Sequence, residues 1–136
     1  MTGSPKPFSW PLRVYYQRTD AAGVVFHANY FSFMECSRTE LLQSHGFDLR
    51  ELARRDRVVV HSAQIAYHKP ALLNDLLTVT AEVKRVGRAR LEFDQAVMRG
   101  EEVLASARLS LACVSAKSYR PVAVPEAIRK RLEGLR

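Results

Sequence analysis

The chain has 136 residues, 47% hydrophobic and 26% charged, a near-average globular composition that sets aside disorder and a disulfide scaffold and suits one domain spanning 1–136. Its 21 basic against 14 acidic residues give a formal charge of +7, which favours an anionic partner without choosing among nucleic acid, a membrane surface and a phosphate-bearing ligand. No apolar run approaches the roughly 18 residues that a spanning helix needs, and MTGSPKPFSW holds no signal-peptide core, so a cytoplasmic protein without a membrane span is expected.

Residues 12–18 are expected as a first strand. TDAAG follows at 19–23, where Asp20 is the only acid before Glu35 and sits among small residues that let backbone amides approach a ligand. Two readings of Asp20 stay open. One is a cap or Asx-turn; the other is a carboxylate beside an amide donor, a minimal kit for attack on a carbonyl.

From 28 to 45, Tyr30, Phe33, Met34, Leu41 and Leu42 keep a helical spacing while Glu35, Arg38, Glu40 and Gln43 are polar, which predicts one amphipathic helix. Asn29 is its candidate cap and Gly46 its stop. Glu35 and Arg38, at i,i+3, are expected as a solvated pair or a buried brace.

Past Arg57 the period switches to two. Strands are expected over 58–68, 77–84, 89–94 and 103–111, with turns around Gly87 and Gly100 joining the last three into an antiparallel meander. One long helix buries its stripe against the concave face of one curved five-stranded sheet, an α+β architecture with a core over about 12–118. A lone helix leaves sheet edges open, and a symmetric dimer closes one of them. The tail at 120–136, with Pro121 and Pro125, reads as an extended exit followed by a short basic helix or disorder.

Basic residues gather at Arg54, Arg55 and Arg57, at Lys84, Arg85, Arg88 and Arg90, and at Arg129, Lys130 and Arg131, without the interleaved aromatics of a single-strand nucleic-acid platform. Cys36 and Cys113 lie far apart in apolar-periodic segments and read as buried free thiols. His27, His45, His61 and His68 show no ligand spacing with cysteine or acid, so no metal is expected.

The run TD-x-x-G-V-V-x-H-x-x-Y, then M-E-x-S-R-T-E, resembles the hotdog-fold acyl-CoA thioesterases of the 4-hydroxybenzoyl-CoA thioesterase group, and within it the YbgC-type branch found with the bacterial Tol-Pal system. The likeness continues through Ile65-Ala66-Tyr67-His68-Lys69-Pro70-Ala71 and Asn74-Asp75-Leu76-Leu77, so it spans residues 12 to about 127. It implies a hotdog fold, one long central helix wrapped by the sheet, and a homodimer, assembled further into a dimer of dimers, with active sites at the dimer interface.

By that resemblance Asp20 matches the catalytic carboxylate, as nucleophile or as general base toward water. The amide at His27 matches the donor that polarises the thioester carbonyl, and Gly23, Val24 and Val25 form the turn that delivers it. The His27 imidazole either orients water or substrate, or caps and packs. Tyr30 falls near the acyl pocket, and His61 and Ser62 where pantetheine often passes. Glu35 reads as structural. Coenzyme A belongs to the substrate, so no separate cofactor is implied; its phosphates call for a basic rim, for which Arg85, Arg88 and Arg90 are the candidates. Phe26, Tyr30, Phe31 and Phe33 either shape an acyl tunnel or form core, and a short aliphatic acyl group follows from the YbgC-type likeness. A thiolate leaves readily, so strong acid catalysis is not needed.

Three functions compete: a thioesterase of this kind, including one acting on 4-hydroxybenzoyl or other aryl thioesters; a non-catalytic acyl binder docking on an acidic acyl carrier protein; and a nucleic-acid module resting on charge alone. The last has no support beyond the charge, and no nucleic-acid partner is expected.

Overall fold

The period-two stretches fold as five strands, and the amphipathic stretch as a long helix, in the computed structural model, which describes residues 7–25 and 27–136. The strands are β1 (Phe8–Arg13), β2 (Asp56–Tyr67), β3 (Leu76–Val86), β4 (Arg90–Arg99) and β5 (Glu102–Ser115); the helices are α1 (Ala28–Ser44), α2 (Leu49–Arg55) and α3 (Glu126–Glu133). All strand pairings are antiparallel, in the order β1-β3-β4-β5-β2. The expected meander is present as β3-β4-β5.

Three expectations need correcting. The first strand is Phe8–Arg13 rather than 12–18: it pairs with β3, Phe8 opposite Ala81 and Arg13 opposite Leu76, after which the chain tightens into a 3-10 turn at Tyr16–Arg18. Pro11, which lacks an N–H, sits in this strand because β1 is an edge. His27, not Asn29, holds the cap position of α1; Asn29 lies inside the helix and donates from Nδ2 to the Arg18 carbonyl at 2.9 Å. The helix α2 was not expected, and it is capped by Asp48, whose Oδ1 accepts from the Arg50 N–H at 2.9 Å. Glu51 in its first turn and Arg54 and Arg55 in its last suit the helix dipole.

Other elements match the expectation closely. The long helix ends at Ser44, and Gly46 takes the left-handed backbone, φ 86°, that lets the chain leave it. In the tail, Ile128 and Leu132, one turn apart, are buried, so the segment is a docked helix.

The core lies between the concave sheet face and α1. Leu77, Val79, Ala81 and Val83 of β3, Leu91, Phe93 and Val97 of β4, and Leu109, Leu111 and Cys113 of β5 alternate inward against Tyr30, Phe33, Met34 and Leu41. Burying each Leu, Val or Phe side chain contributes about 1.5–3 kcal/mol. Within this face Ser37 Oγ donates to the Val79 carbonyl at 2.8 Å, so this buried hydroxyl of the helix is satisfied by the sheet. Cys113 is buried and Cys36 half-buried, both free thiols.

β2 is the other edge, and it is unlike its neighbours. Its consecutive residues Val58, Val59 and Val60 are 40%, 38% and 48% exposed, and nearly the whole strand is open. His61 is a bulge residue: the register passes from Val60 opposite Leu111 to Ser62 opposite Ser110.

Candidate active site

Asp20 opens a tight hairpin. Its N–H donates to the Val24 carbonyl at 2.9 Å, its own carbonyl accepts from Gly23 N–H at 3.0 Å, and Thr19 bridges Val25. Gly23 has φ 78°, a conformation that costs a side-chain-bearing residue free energy. The carboxylate is held from below, since Oδ1 accepts from the N–H groups of Ala22 at 2.9 Å and Val24 at 3.2 Å. The Asx-turn and the positioned carboxylate are therefore one arrangement. Oδ2 takes no hydrogen bond from the described residues, and the side chain is exposed.

A second loop holds this hairpin in place. Val24 bridges Leu72, Val25 N–H donates to the Ala71 carbonyl at 2.9 Å, and Leu73 N–H donates to the Gly23 carbonyl at 3.0 Å. The amides of Gly23, Val24 and Val25 are thus all spent inside the protein, so these residues carry the chain to His27 instead of donating to a ligand. The supporting loop is itself locked. Asp75 Oδ2 accepts from Leu72 N–H at 2.9 Å and from Arg99 Nη1 at 2.6 Å, Arg99 Nη2 donates to Glu102 at 2.8 Å, and Lys69 completes the row on Glu102. Lys69 and Arg99 hold the Glu102 carboxyl below its usual range, and Glu102 and Asp75 push the Arg99 guanidinium up.

Helix α1 supplies the third support. Arg18 donates from Nη1 to Ser32 Oγ at 2.9 Å and lies 5.7 Å over the Phe33 ring. Tyr30 is buried, and its hydroxyl accepts from Ala71 N–H at 3.0 Å. His27 is at the mouth of the helix, where the first N–H groups lack helical partners. Its ring centroid is 4.7 Å from that of Tyr67, the last residue of β2, and Tyr67 also stands edge-on to Tyr30 at 5.3 Å. Burial, and then Tyr30, push the Tyr67 phenol up, so it stays a donor; it points at the His27 carbonyl at 3.4 Å.

The fold thus unites Asp20, Gly23, Val24, Val25, His27 and Tyr30. It does not bring the other candidates to them. His61 and Ser62 stand midway along β2, six and five residues before Tyr67, or about 20 Å at the rise of a strand. Arg85, Arg88 and Arg90 lie at the β3–β4 turn, whereas the Asp20 hairpin packs at the start of β3, about 33 Å away along that strand. Arg18, Tyr67 and the Asp75–Arg99 pair escaped the sequence reading. The turn residues Asn74-Asp75 and the Arg99-Gly100 turn were the available signals.

A cleft of about 650 Å³ runs between the outer flank of α1 (Phe31, Ser32, Glu35), α2, Val58–Val60 of β2 and Ile128 of α3. Asp20 does not line it. Of the proposed tunnel residues, Phe31 lines this cleft, Tyr30 and Phe33 are core, and Phe26 lies outside the described residues. Arg38 reaches the cleft wall but does not pair with Glu35: its Nη1 donates to Gln95 Oε1 at 2.7 Å, and Gln95 Nε2 donates to the Met34 and Thr80 carbonyls at 3.0 and 3.1 Å. Burial pulls the Arg38 guanidinium down while Glu35 nearby raises it.

Residues 22–106 match the family described as the thioesterase superfamily. The chain is 39% identical over 123 residues to "Acyl-CoA thioester hydrolase YbgC" of Escherichia coli O6:H1, covering 89% of this chain and 92% of that one. It is 40% identical over 131 residues to "Acyl-CoA thioesterase YbgC" of Haemophilus influenzae, covering 95% and 96%. A probable thioesterase from Bartonella henselae superposes with a TM-score of 0.84 at 31% identity, over 88% of this chain and all of that one (100%).

Proposed function

The chain belongs to the thioesterase superfamily, and we propose that within it the protein is an acyl-CoA thioester hydrolase whose reaction is carried by Asp20. The observation that carries the reading is the Asp20 carboxylate, fixed through Oδ1 by two backbone amides in a hairpin tied to the start of α1. A carboxylate so held does not reorganise as it drives attack on the thioester carbonyl, directly or through a water. The developing oxyanion is met by the N–H at His27, at the N-terminal cap of α1, where the helix dipole adds positive potential. The departing thiolate needs little protonation. The relatives' names support an acyl-CoA substrate, and the YbgC-type likeness supports a short aliphatic acyl group.

The same reading includes a cytoplasmic homodimer built on β2, further paired as a dimer of dimers. The long open edge with its exposed valines supports the dimer. Among the described residues no helix is long and apolar enough to cross a membrane. Thiol release from a panel of acyl-CoAs by wild type and Asp20→Asn tests the mechanism: a fall of about 10²- to 10⁴-fold in kcat is expected. Full activity of the variant on every thioester would refute it.

A further inference from the structure

Three parts must stay in register for the reaction: the hairpin that carries Asp20, the start of α1 that carries the His27 N–H, and the sheet beneath both. The hairpin is tied to the 71–75 loop, with Val25 N–H on the Ala71 carbonyl and Leu73 N–H on the Gly23 carbonyl. The first turn of α1 is tied to the hairpin, with Asn29 Nδ2 on the Arg18 carbonyl and Arg18 Nη1 on Ser32 Oγ. His27 itself meets the sheet through Tyr67.

Tyr67 closes β2, opposite Ala105, and the alternation of the strand sets it on the same face as Ile65, which packs on the core. The backbone is pinned just beyond it, because the N–H groups of His68 and Lys69 both donate to the Leu104 carbonyl, at 2.8 and 3.1 Å. Its ring stands edge-on to Tyr30, with centroids 5.3 Å and planes 73° apart, and Tyr30 stands edge-on in turn to Phe33, at 6.0 Å and 64°. Both are geometries that aromatic pairs favour. Phe33 is 1% and Tyr30 2% exposed, so this line of rings starts in the core. On its other side the Tyr67 ring lies 4.7 Å from the His27 imidazole, tilted by 33°, and its hydroxyl points at the His27 carbonyl. Tyr67 is nonetheless 41% exposed, unlike the two rings behind it, so filling the core does not account for an aromatic side chain at this position.

We propose that Tyr67 is a positioning residue for thioester cleavage: seated on Tyr30, its ring clamps His27 and so sets the direction in which the His27 N–H meets the thioester carbonyl. The inference rests on the thioesterase reading. Tyr67 acts through His27 and does not touch the reacting atoms. A donor held in this way need not reorganise as charge develops on the oxygen, and a misplacement of ~1 Å costs about 10²-fold in rate. The ring carries the larger share, since the hydroxyl contact, at 3.4 Å, is long for a hydrogen bond.

The test compares Tyr67→Leu, which removes the ring, with Tyr67→Phe, which keeps it, and urea denaturation sets the rates on a folded-enzyme basis. Tyr67→Leu should lower kcat by about 10- to 100-fold while KM stays within about twofold, the pattern of an interaction lost only in the transition state. Tyr67→Phe should keep kcat within about threefold of wild type, because the ring contacts survive. A ring so close to the imidazole also shifts the His27 proton resonances, which should move in the Leu variant and stay near wild type in the Phe variant. Wild-type kcat in Tyr67→Leu, a loss confined to KM, a Phe variant as slow as the Leu variant, or His27 resonances indifferent to the missing ring each overturns the proposal. Failure of the wild type to cleave any acyl-CoA is a separate result that overturns the thioesterase reading, and the His27 resonances then still decide whether the clamp exists.

Discussion

Tyr30→Phe removes one oxygen and changes nothing in the ring packing, so it isolates the hydrogen bond from Ala71 N–H to the hydroxyl, 3.0 Å long. Both residues are buried, Ala71 at 0% and Tyr30 at 2% exposure, so the amide loses its partner where water is excluded. Leaving such a donor unsatisfied costs about 1–3 kcal/mol. For a chain of this size that corresponds to a fall in Tm of roughly 3–10 °C. A catalytic effect should accompany it. The Ala71 carbonyl takes the Val25 N–H, so loosening this residue loosens the hairpin, and kcat should drop by more than the unfolded fraction explains. Urea denaturation and initial rates of thiol release measure the two effects. A variant within about 0.5 kcal/mol of wild type, the range of an inert surface change, would refute the assignment of the hydroxyl as the anchor of this loop.

Arg99→Ala should lower kcat with little change in KM, because Arg99 holds Asp75 and so the loop that carries the hairpin; Arg99→Lys should recover part of the loss, and equal rates for all three proteins would remove Arg99 from the argument. Gly23→Ala meets no atom within 4 Å, so its cost is conformational, about 1–2 kcal/mol, and Gly23→Asn should cost less; equilibrium unfolding of the pair checks the order. The Glu102 carboxyl is held below its ordinary 4.5 by Lys69 first and Arg99 second, so its contribution is complete above that value and is lost as pH falls through the lower folded one. The Tm difference between wild type and Glu102→Gln should therefore be largest above pH 4.5 and shrink below it, and a difference that grows with acid would reverse the sign of the reasoning.

Period and punctuation made the large elements legible. Residues 77–111 alternate cleanly because one face is buried, and α1 keeps its stripe from Tyr30 to Leu41. The start of β1 was misplaced because Val14, Tyr15 and Tyr16 favour strands by type, whereas the partner strand β3 selects Phe8–Arg13. The helix α2 carried its own signal in Asp48 followed three residues later by Glu51, a pattern that begins a helix. At the site, Asp20 and Gly23 stand close in the chain and could be read together. The contacts that hold them come from residues 71–75 and from Arg99, far along the chain, where nothing in the local pattern points back to the hairpin. Distance along a strand was equally invisible: Arg85, Arg88 and Arg90, the candidates for a phosphate rim, lie at the other end of β3 from the hairpin.

Pro11 gives the two margins of the sheet different fates. A sheet open on both sides grows by repeated addition, and identical units stacking edge on edge form a fibre. Here β1 is six residues long and lacks one main-chain donor, while β2 is twelve residues long and exposes its valines. Association therefore has one productive margin, and a unit with one productive margin is used up on meeting its twin. In the proposed dimer growth would stop at ten strands, with Pro11 as the chain terminator of a polymerisation that the five-stranded sheet would otherwise permit.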